Sequence, residues 1–391
     1  MMRTQVGIIG AGPAGLMLSH LLALEGISSV VLEAHTRDYV EHRIRAGLME
    51  HFSVELLRQC GVGARMDREG LVHHGIVLRF GGRSHRIPVT DLTGKSMMIY
   101  GQHEVVKDLI AARLAAGGQI LFEAEAVGID ELHGERPRIR FRQDGREQQI
   151  ECDIIAGCDG FHGICRPALP LGALTVYDKI YPFGWLGILA DVAPSNDELV
   201  YANHERGYAL LTMRSPSVSR LYLQCAPDED ADAWTDEAIW AELRTRLADD
   251  SGFVLQSGPI RQKGVTAMRS YVVEPLRHGR LFLLGDAAHI VPPTGAKGMN
   301  LAFADVVVLS RALIDWYRKR NGDGLDSYSA TALRRVWKAE RFSWWLTSLM
   351  HRFEHATPFE RRMQAAELDY VTSSRAAMTT LAENYAGLPL G

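Results

Sequence analysis

The chain has 391 residues, 47% hydrophobic and 23% charged, with 37 Gly and 15 Pro. That is too apolar for a disordered chain, and long enough for two or three domains rather than a single core. Its 43 basic and 47 acidic residues leave a formal charge of −4, which excludes a global electrostatic attraction to nucleic acid or an anionic membrane.

The apolar stretch from Val6 to Leu24 is broken by Gly7, Gly10, Gly12, Pro13 and Gly15 and carries His20, so it reads neither as a leader nor as a membrane span. Gln5–Ile9 suits a buried strand, Leu16–Leu24 a helix ending near Gly26, and Ser29–Leu32 a second strand. Strand, glycine turn, helix and strand within about thirty residues form a βαβ unit, which requires a parallel sheet. The opening is therefore α/β. Gly75–Thr90 is strand-like, Glu104–Ala116 helical, and the Arg-Ile-Arg-Phe alternation at 138–141 predicts an antiparallel hairpin within 121–158.

Further β runs are predicted at Leu186–Ala190, Glu198–Tyr201, Tyr208–Met213 and Arg220–Cys225, with an acidic helix near Asp236–Ala248. After a buried strand at Leu281–Leu284 the chain reads as mostly helical from Lys297 to Tyr385. Its Trp316, Trp337, Trp344 and Trp345 are expected in packing or subunit contacts, which makes a homodimer the expectation. The fold expected is mixed α/β and α+β. A Rossmann-like cofactor domain spans 1–180 and is completed by 268–320; a mostly antiparallel substrate domain is inserted at 181–267, and a helical region covers 321–391.

Five cysteines, odd in number and without a C-x-x-C pair, read as free thiols in a reducing cytoplasm. Cys158, His162 and Cys165 have neither the ligand count nor the spacing of structural zinc, so no metal is expected.

Gly10-Ala-Gly12-Pro-Ala-Gly15 follows the first strand and opens the first helix, and Glu33 lies at the end of the second strand. The glycines let a pyrophosphate approach the helix N-terminus, and the carboxylate can accept from an adenosine ribose. A second run, Arg280-Leu-Phe-Leu-Leu-Gly285-Asp286-Ala-Ala-His289, leads into Pro292-Pro293-Thr-Gly295-Ala-Lys297-Gly298-Met299-Asn300. There a carboxylate can hold a ribityl chain, and a helix N-terminus can face a flavin pyrimidine.

With Cys158-Asp159-Gly160, these segments resemble the FAD-dependent aromatic monooxygenases. The resemblance extends through Arg43-Ile-Arg45-Ala-Gly47, Tyr100-Gly-Gln102, Tyr181–Trp185, Tyr201–His204, Arg269 and Glu383-Asn-Tyr385, covering essentially the whole chain. It implies that FAD is held by Gly10, Gly12, Gly15, Glu33, Arg43, Arg45, Gln102, Asp159, Asp286, Gly298, Met299 and Asn300. It also implies that NADPH or NADH meets Arg45, His162, Arg269 and Tyr39. A para-hydroxybenzoate would be hydroxylated ortho to its phenol through a flavin hydroperoxide, with dioxygen as co-substrate and protocatechuate as product.

Strand spacing adds an argument of its own: Thr212 and Arg214 face one side, as do Arg220 and Tyr222 on the next strand. Arg214 can take a carboxylate bidentately, with Thr212 and Tyr222 adding hydrogen bonds. For the phenol end, the resemblance implies Tyr201 bonded to Tyr385, the Pro293 carbonyl, and His73 ending a proton relay to solvent. Two departures stand out: Thr212 replaces the family's serine, and Ala34 replaces an arginine of NADPH-preferring members. NADPH or NADH stays open, with NADPH favoured by family habit. Alternatives are the same chemistry on an aminobenzoate, 3-hydroxybenzoate or protocatechuate, or an FAD-dependent reductase without oxygen insertion.

Overall fold

A computed structural model describes residues 2–390. Val6–Ile9 (β1), Pro13–Leu24 (α1) and Ser29–Leu32 (β2) form the opening βαβ unit, and Ile154–Gly157 (β3) pairs in parallel with β1 on its other side. Leu281–Leu283 joins β3 in parallel and Gln119–Leu121 joins β2, giving a six-stranded sheet closed by Arg277–His278. Every residue of β1, β2 and β3 is buried, as a parallel sheet covered on both faces requires. The predicted hairpin is Arg138–Gln143 paired with Arg146–Glu151.

The second sheet has eight strands. Its centre is Thr175–Ala190 (β4), Leu199–Ala202 (β5), Ala209–Ser215 (β6), Val218–Cys225 (β7) and Ile260–Glu274 (β8), in the order β8-β4-β7-β6-β5. Alternation divides its faces. Leu186, Ile188, Val200, Leu211, Leu221 and Leu223 pack against Asp236–Arg246 (α2), while Trp185, Tyr201, Tyr208 and Leu210 face the other way, into a core shared with Tyr385.

Two expectations change here. Residue 181 is no boundary, because β4 runs unbroken through it and pairs with β8 along most of its length. Ile76–Phe80 and Arg83–Ile87 leave the N-terminal unit and extend this sheet beside β5. The long helices that follow are Gly298–Lys319 (α3), Tyr328–Met350 (α4), Pro358–Ser373 (α5) and Arg375–Ala386 (α6), with a single turn at Asp323–Asp326 between the first two. Among the described residues no helix is long and apolar enough to cross a membrane. Cys60, Cys152, Cys158 and Cys165 are free and buried.

The glycine turn shows two kinds of need. Gly10 has φ +105°, and a side chain there would overlap the Cys158 carbonyl; one at Gly15 would overlap the Gly10 carbonyl. Gly12 has an ordinary φ of −75° and open space where a Cβ would point. Gly10→Ala and Gly15→Ala are each expected to cost at least about 2 kcal/mol of stability. Gly12→Ala should stay within about 0.5 kcal/mol of the parent in thermal or urea unfolding of the cofactor-free protein.

Candidate active site

The β1–α1 turn is braced by Glu33, whose carboxylate accepts from the backbone N–H of Ala11 at 2.9 Å and of His35 at 3.0 Å. Gly12 faces the open side of that turn. Arg43 and Arg45 are exposed and, among the described residues, neither has an acid partner in an ion pair; Arg45 lies within electrostatic reach of Arg43, Asp286, Tyr39 and Arg220. Gln102 heads the Gln102–Ala115 helix and donates its N–H to Ala46 at 3.1 Å, fixing that helix to the arginine loop.

Across the groove, the first internal bond of α3 runs from the Leu301 N–H to Lys297 at 2.8 Å, leaving the N–H groups of Gly298, Met299 and Asn300 without intrahelical acceptors. An uncompensated cation pair, an open glycine turn and free helix N–H groups together fit a dinucleotide carrying a polar ring.

Asn300 differs from expectation. Its side-chain oxygen accepts from the Glu50 N–H at 2.9 Å and the Ser53 hydroxyl at 2.7 Å, and its amide donates to Leu48 at 3.1 Å and Ala296 at 2.9 Å. All four hydrogen-bonding positions are filled by protein, so only its backbone is left for a cofactor. Beside it, Lys297 is buried against Glu50 at 2.6 Å and donates to Tyr385 O at 3.3 Å, tying the α3 N-terminus to the end of α6. Asp159 accepts from Cys165 N–H at 2.8 Å, while its other oxygen is buried without a partner.

The residues expected at the nicotinamide nucleotide form two groups. Tyr39 packs at a tilt against His35 at 4.3 Å and lies under Arg43 at 5.8 Å. Arg269 pairs with Asp178 at 3.0 Å and covers Phe161 at 4.8 Å, and Phe161 touches His162. Arg45 belongs with the first group.

On the inward face of the second sheet, β6 pairs Thr212 with Arg220 and Leu210 with Tyr222. Among the described residues neither Arg214 nor Arg220 has an acid partner, and the Nε of each is buried without an acceptor. Burial raises the Tyr222 phenol, but Arg214 and Arg220 together outweigh it and leave Tyr222 below the usual phenol range. Such a group lacks one thing, an anion. Arg220 was legible on the right face of its strand, yet sequence gave it no role.

Tyr201 and Tyr385 share a short hydroxyl–hydroxyl hydrogen bond. Tyr201 donates to Thr294 O at 3.3 Å, so the shared proton comes from Tyr385. Pro293 is exposed at this turn, and its carbonyl accepts from Ala296 N–H at 2.9 Å while keeping a second acceptor position. Burial pushes both phenols above their ordinary range, so both stay protonated.

His73 is only 1% exposed, and its Nδ1 is buried without a partner; among the described residues no hydrogen bond joins it to Tyr385. It therefore does not itself reach solvent. Desolvation brings its pKa down to about 4 from 6.5. A histidine kept neutral in the fold but protonated when unfolded withdraws stability as pH falls from about 6.5 towards 4. His73→Gln should flatten that part of the pH–stability curve, removing up to about 3 kcal/mol of acid sensitivity in urea titrations.

Comparison with known proteins agrees with this geometry. The family described as FAD binding domain matches residues 3–343. The chain is 50% identical over 389 residues to p-hydroxybenzoate hydroxylase of Acinetobacter baylyi (strain ATCC 33305 / BD413 / ADP1), covering 99% of this chain and 96% of that one. It is 25% identical over 336 residues to 6-methylpretetramide 4-monooxygenase of Streptomyces rimosus, covering 83% of this chain and 58% of that one. The crystal structure of p-nitrophenol 4-monooxygenase from Pseudomonas putida DLL-E4 superimposes with a TM-score of 0.85 over 100% of both chains at 17% identity, a likeness of fold. The chain belongs to the FAD-binding monooxygenase family and is an FAD-dependent aromatic hydroxylase.

Proposed function

We propose that this enzyme converts para-hydroxybenzoate, dioxygen and a reduced nicotinamide nucleotide into protocatechuate, water and the oxidised nucleotide. The observation that carries the reading is one sheet face with acid-free arginines at one end of β6 and a buried tyrosine pair at the other. The relative named a p-hydroxybenzoate hydroxylase, 50% identical over 389 residues, supports it.

FAD, when bound, accepts hydride from the nucleotide and activates dioxygen. Glu33, Arg43, Arg45, Gln102, Asp159, Asp286 and the N–H groups of Gly298, Met299 and Asn300 hold it, around Gly10, Gly12 and Gly15. Tyr39, Arg45, His162 and Arg269 meet the nucleotide. Arg214 takes the substrate carboxylate, with Thr212 and Tyr222 beside it. The phenol meets Tyr201 and the Pro293 carbonyl. The substrate phenol gives its proton to Tyr201 as Tyr201 turns from Thr294 and gives its own to Tyr385, and Tyr385 gives one onward, so the substrate is left as an electron-rich phenolate while both tyrosines end neutral. The proposed acceptor at the end is neutral His73, whose buried Nδ1 has no partner and which a water would have to join to Tyr385.

Ala34 supplies no cation for a nucleotide 2′-phosphate, and Arg37 is held by Glu41 at 2.6 Å. We therefore propose that NADH serves as well as NADPH. Exposed Tyr177 lies edge-on to exposed Trp337 at 5.2 Å, with Val176 and Ile180 exposed on the same strand, and these support a homodimer; free thiols support a cytoplasmic location.

The test is oxidation of NADH and NADPH with and without para-hydroxybenzoate, with product and peroxide quantified. Arg214→Lys should raise KM roughly ten- to a hundredfold by losing the bidentate grip. Tyr385→Phe should slow hydroxylation by at least about tenfold while binding persists. Substrate-stimulated turnover without a hydroxylated product would reject this reading, and activity independent of dioxygen would favour the reductase.

A further inference from the structure

His351 caps the C-terminal end of α4 and is 0% exposed. The Trp185 indole N–H points at its Nε2 at 2.7 Å. An indole nitrogen can only donate, so Nε2 must be the acceptor and the proton must sit on Nδ1. There it meets Thr347 O at 3.0 Å. The tautomer is thus fixed by its neighbours, and protonating Nε2 would set donor against donor.

The bonds continue in both directions. Thr347, one helical turn back, donates its hydroxyl to the Thr294 hydroxyl at 2.9 Å, and the Thr294 carbonyl accepts from Tyr201. Trp185 packs on Tyr222 at 4.8 Å, and Tyr222 lies beside Arg214. One buried chain, Thr294–Thr347–His351–Trp185, therefore spans from the tyrosine end of the cavity to its arginine end. The imidazole is sandwiched between Phe183 at 4.6 Å and Tyr208 at 4.3 Å, and among the described residues Tyr208 is the one titratable side chain stacked on it.

The segment that carries His351 is itself clamped to the sheet. Gln224 donates to Arg352 O at 2.6 Å and accepts from Arg352 N–H and Tyr208 N–H at 3.0 Å each. Asn203 donates to Met350 O at 3.1 Å, and Gln364 to His351 O at 2.8 Å. So many fixed bonds around one uncharged ring hold a position rather than a charge.

We propose that His351 is a positioning residue that sets the distance between the carboxylate and phenol ends of the substrate cavity, and thereby the fraction of nucleotide oxidation that ends in ring hydroxylation. The inference rests on the proposed function for what fills the cavity. Its structural half, the acceptor bond from Trp185, stands apart from substrate identity. An aromatic ring held loosely between its two anchors would lose the alignment needed for oxygen transfer, and reducing equivalents would leave as peroxide.

The experiment uses the FAD-loaded enzyme and two variants. His351→Phe keeps the stacking but strands the indole N–H, whereas His351→Gln can accept from Trp185 and donate to Thr347. His351→Phe should raise the peroxide-to-protocatechuate ratio by roughly five- to thirtyfold, the range expected when a buried donor loses its partner. Substrate-free flavin reduction should be unchanged, and His351→Gln should restore most of the coupling. A merely structural residue would shift unfolding without moving that ratio. The Trp185 indole 1H–15N resonance, assigned with Trp185→Phe, is read in the unmodified enzyme, so the test survives variants that do not fold. It should keep one hydrogen-bonded position from pH 5 to 8. Titration of that resonance in this range would overturn the proposal, as would unchanged coupling in His351→Phe or equal losses in both variants. If para-hydroxybenzoate is not hydroxylated while the indole resonance behaves as stated, the substrate reading fails and the Trp185–His351 bond does not.

Discussion

Two half-buried arginines without an acid partner among the described residues make the most demanding arrangement in this fold. Arg214 and Arg220 each bury an Nε that finds no acceptor, and what the fold provides is a tyrosine drawn toward its anionic form. A partly buried guanidinium whose Nε finds no acceptor is unfavourable unless something completes it. The eight-stranded sheet spends its inward face on this deficit. Its other face, packed on α2, supplies apolar burial of the ordinary kind. On the proposed function a carboxylate-bearing ligand would complete the site as it binds, so that recognition and stabilisation become one event.

The second organising feature is the stretch from Gly285 to Asn300, which touches everything. It begins in the parallel sheet, turns beside the tyrosine pair, and opens α3. Lys297 and Asn300 then bind it to Glu50, Leu48 and the end of α6, so the helix N-terminus and Tyr385 cannot move independently. The two ends of this segment, Asp286 and Gly298–Asn300, belong to the proposed cofactor groove, and its middle, Pro293 and Thr294, lies beside the tyrosine pair.

Much of this was readable from residue order. The βαβ unit and its glycines were explicit, because strand burial and turn geometry leave periodic marks. Thr212, Arg214, Arg220 and Tyr222 could be placed on one face, since alternation along a strand is geometric. What escaped was long-range. β8 was not recognised: Arg261, Gln262, Lys263 and Gly264 interrupt its apolar pattern, and pairing with β4, not propensity, makes it a strand. The boundary at 181 failed for the same reason. Asn300 had been assigned to the cofactor, but its four partners come from Leu48, Glu50, Ser53 and Ala296, which no local spacing predicts. His73 was expected to end a relay to solvent, whereas it pairs with Met97 in the interior.

The burial of the thiols has a bearing on how such an enzyme ages. Any turnover that misses its target releases hydrogen peroxide within ångströms of the polypeptide, and thiolates are the groups it oxidises first. Here Cys158 and Cys165, next to the cofactor groove, are pushed well above the usual thiol range by desolvation, and half-buried Cys225 is raised to about 11. Sulfur that is both sealed from solvent and held in its unreactive protonated form gives the oxidant little to attack. The interior that houses the chemistry is shielded from its own by-product.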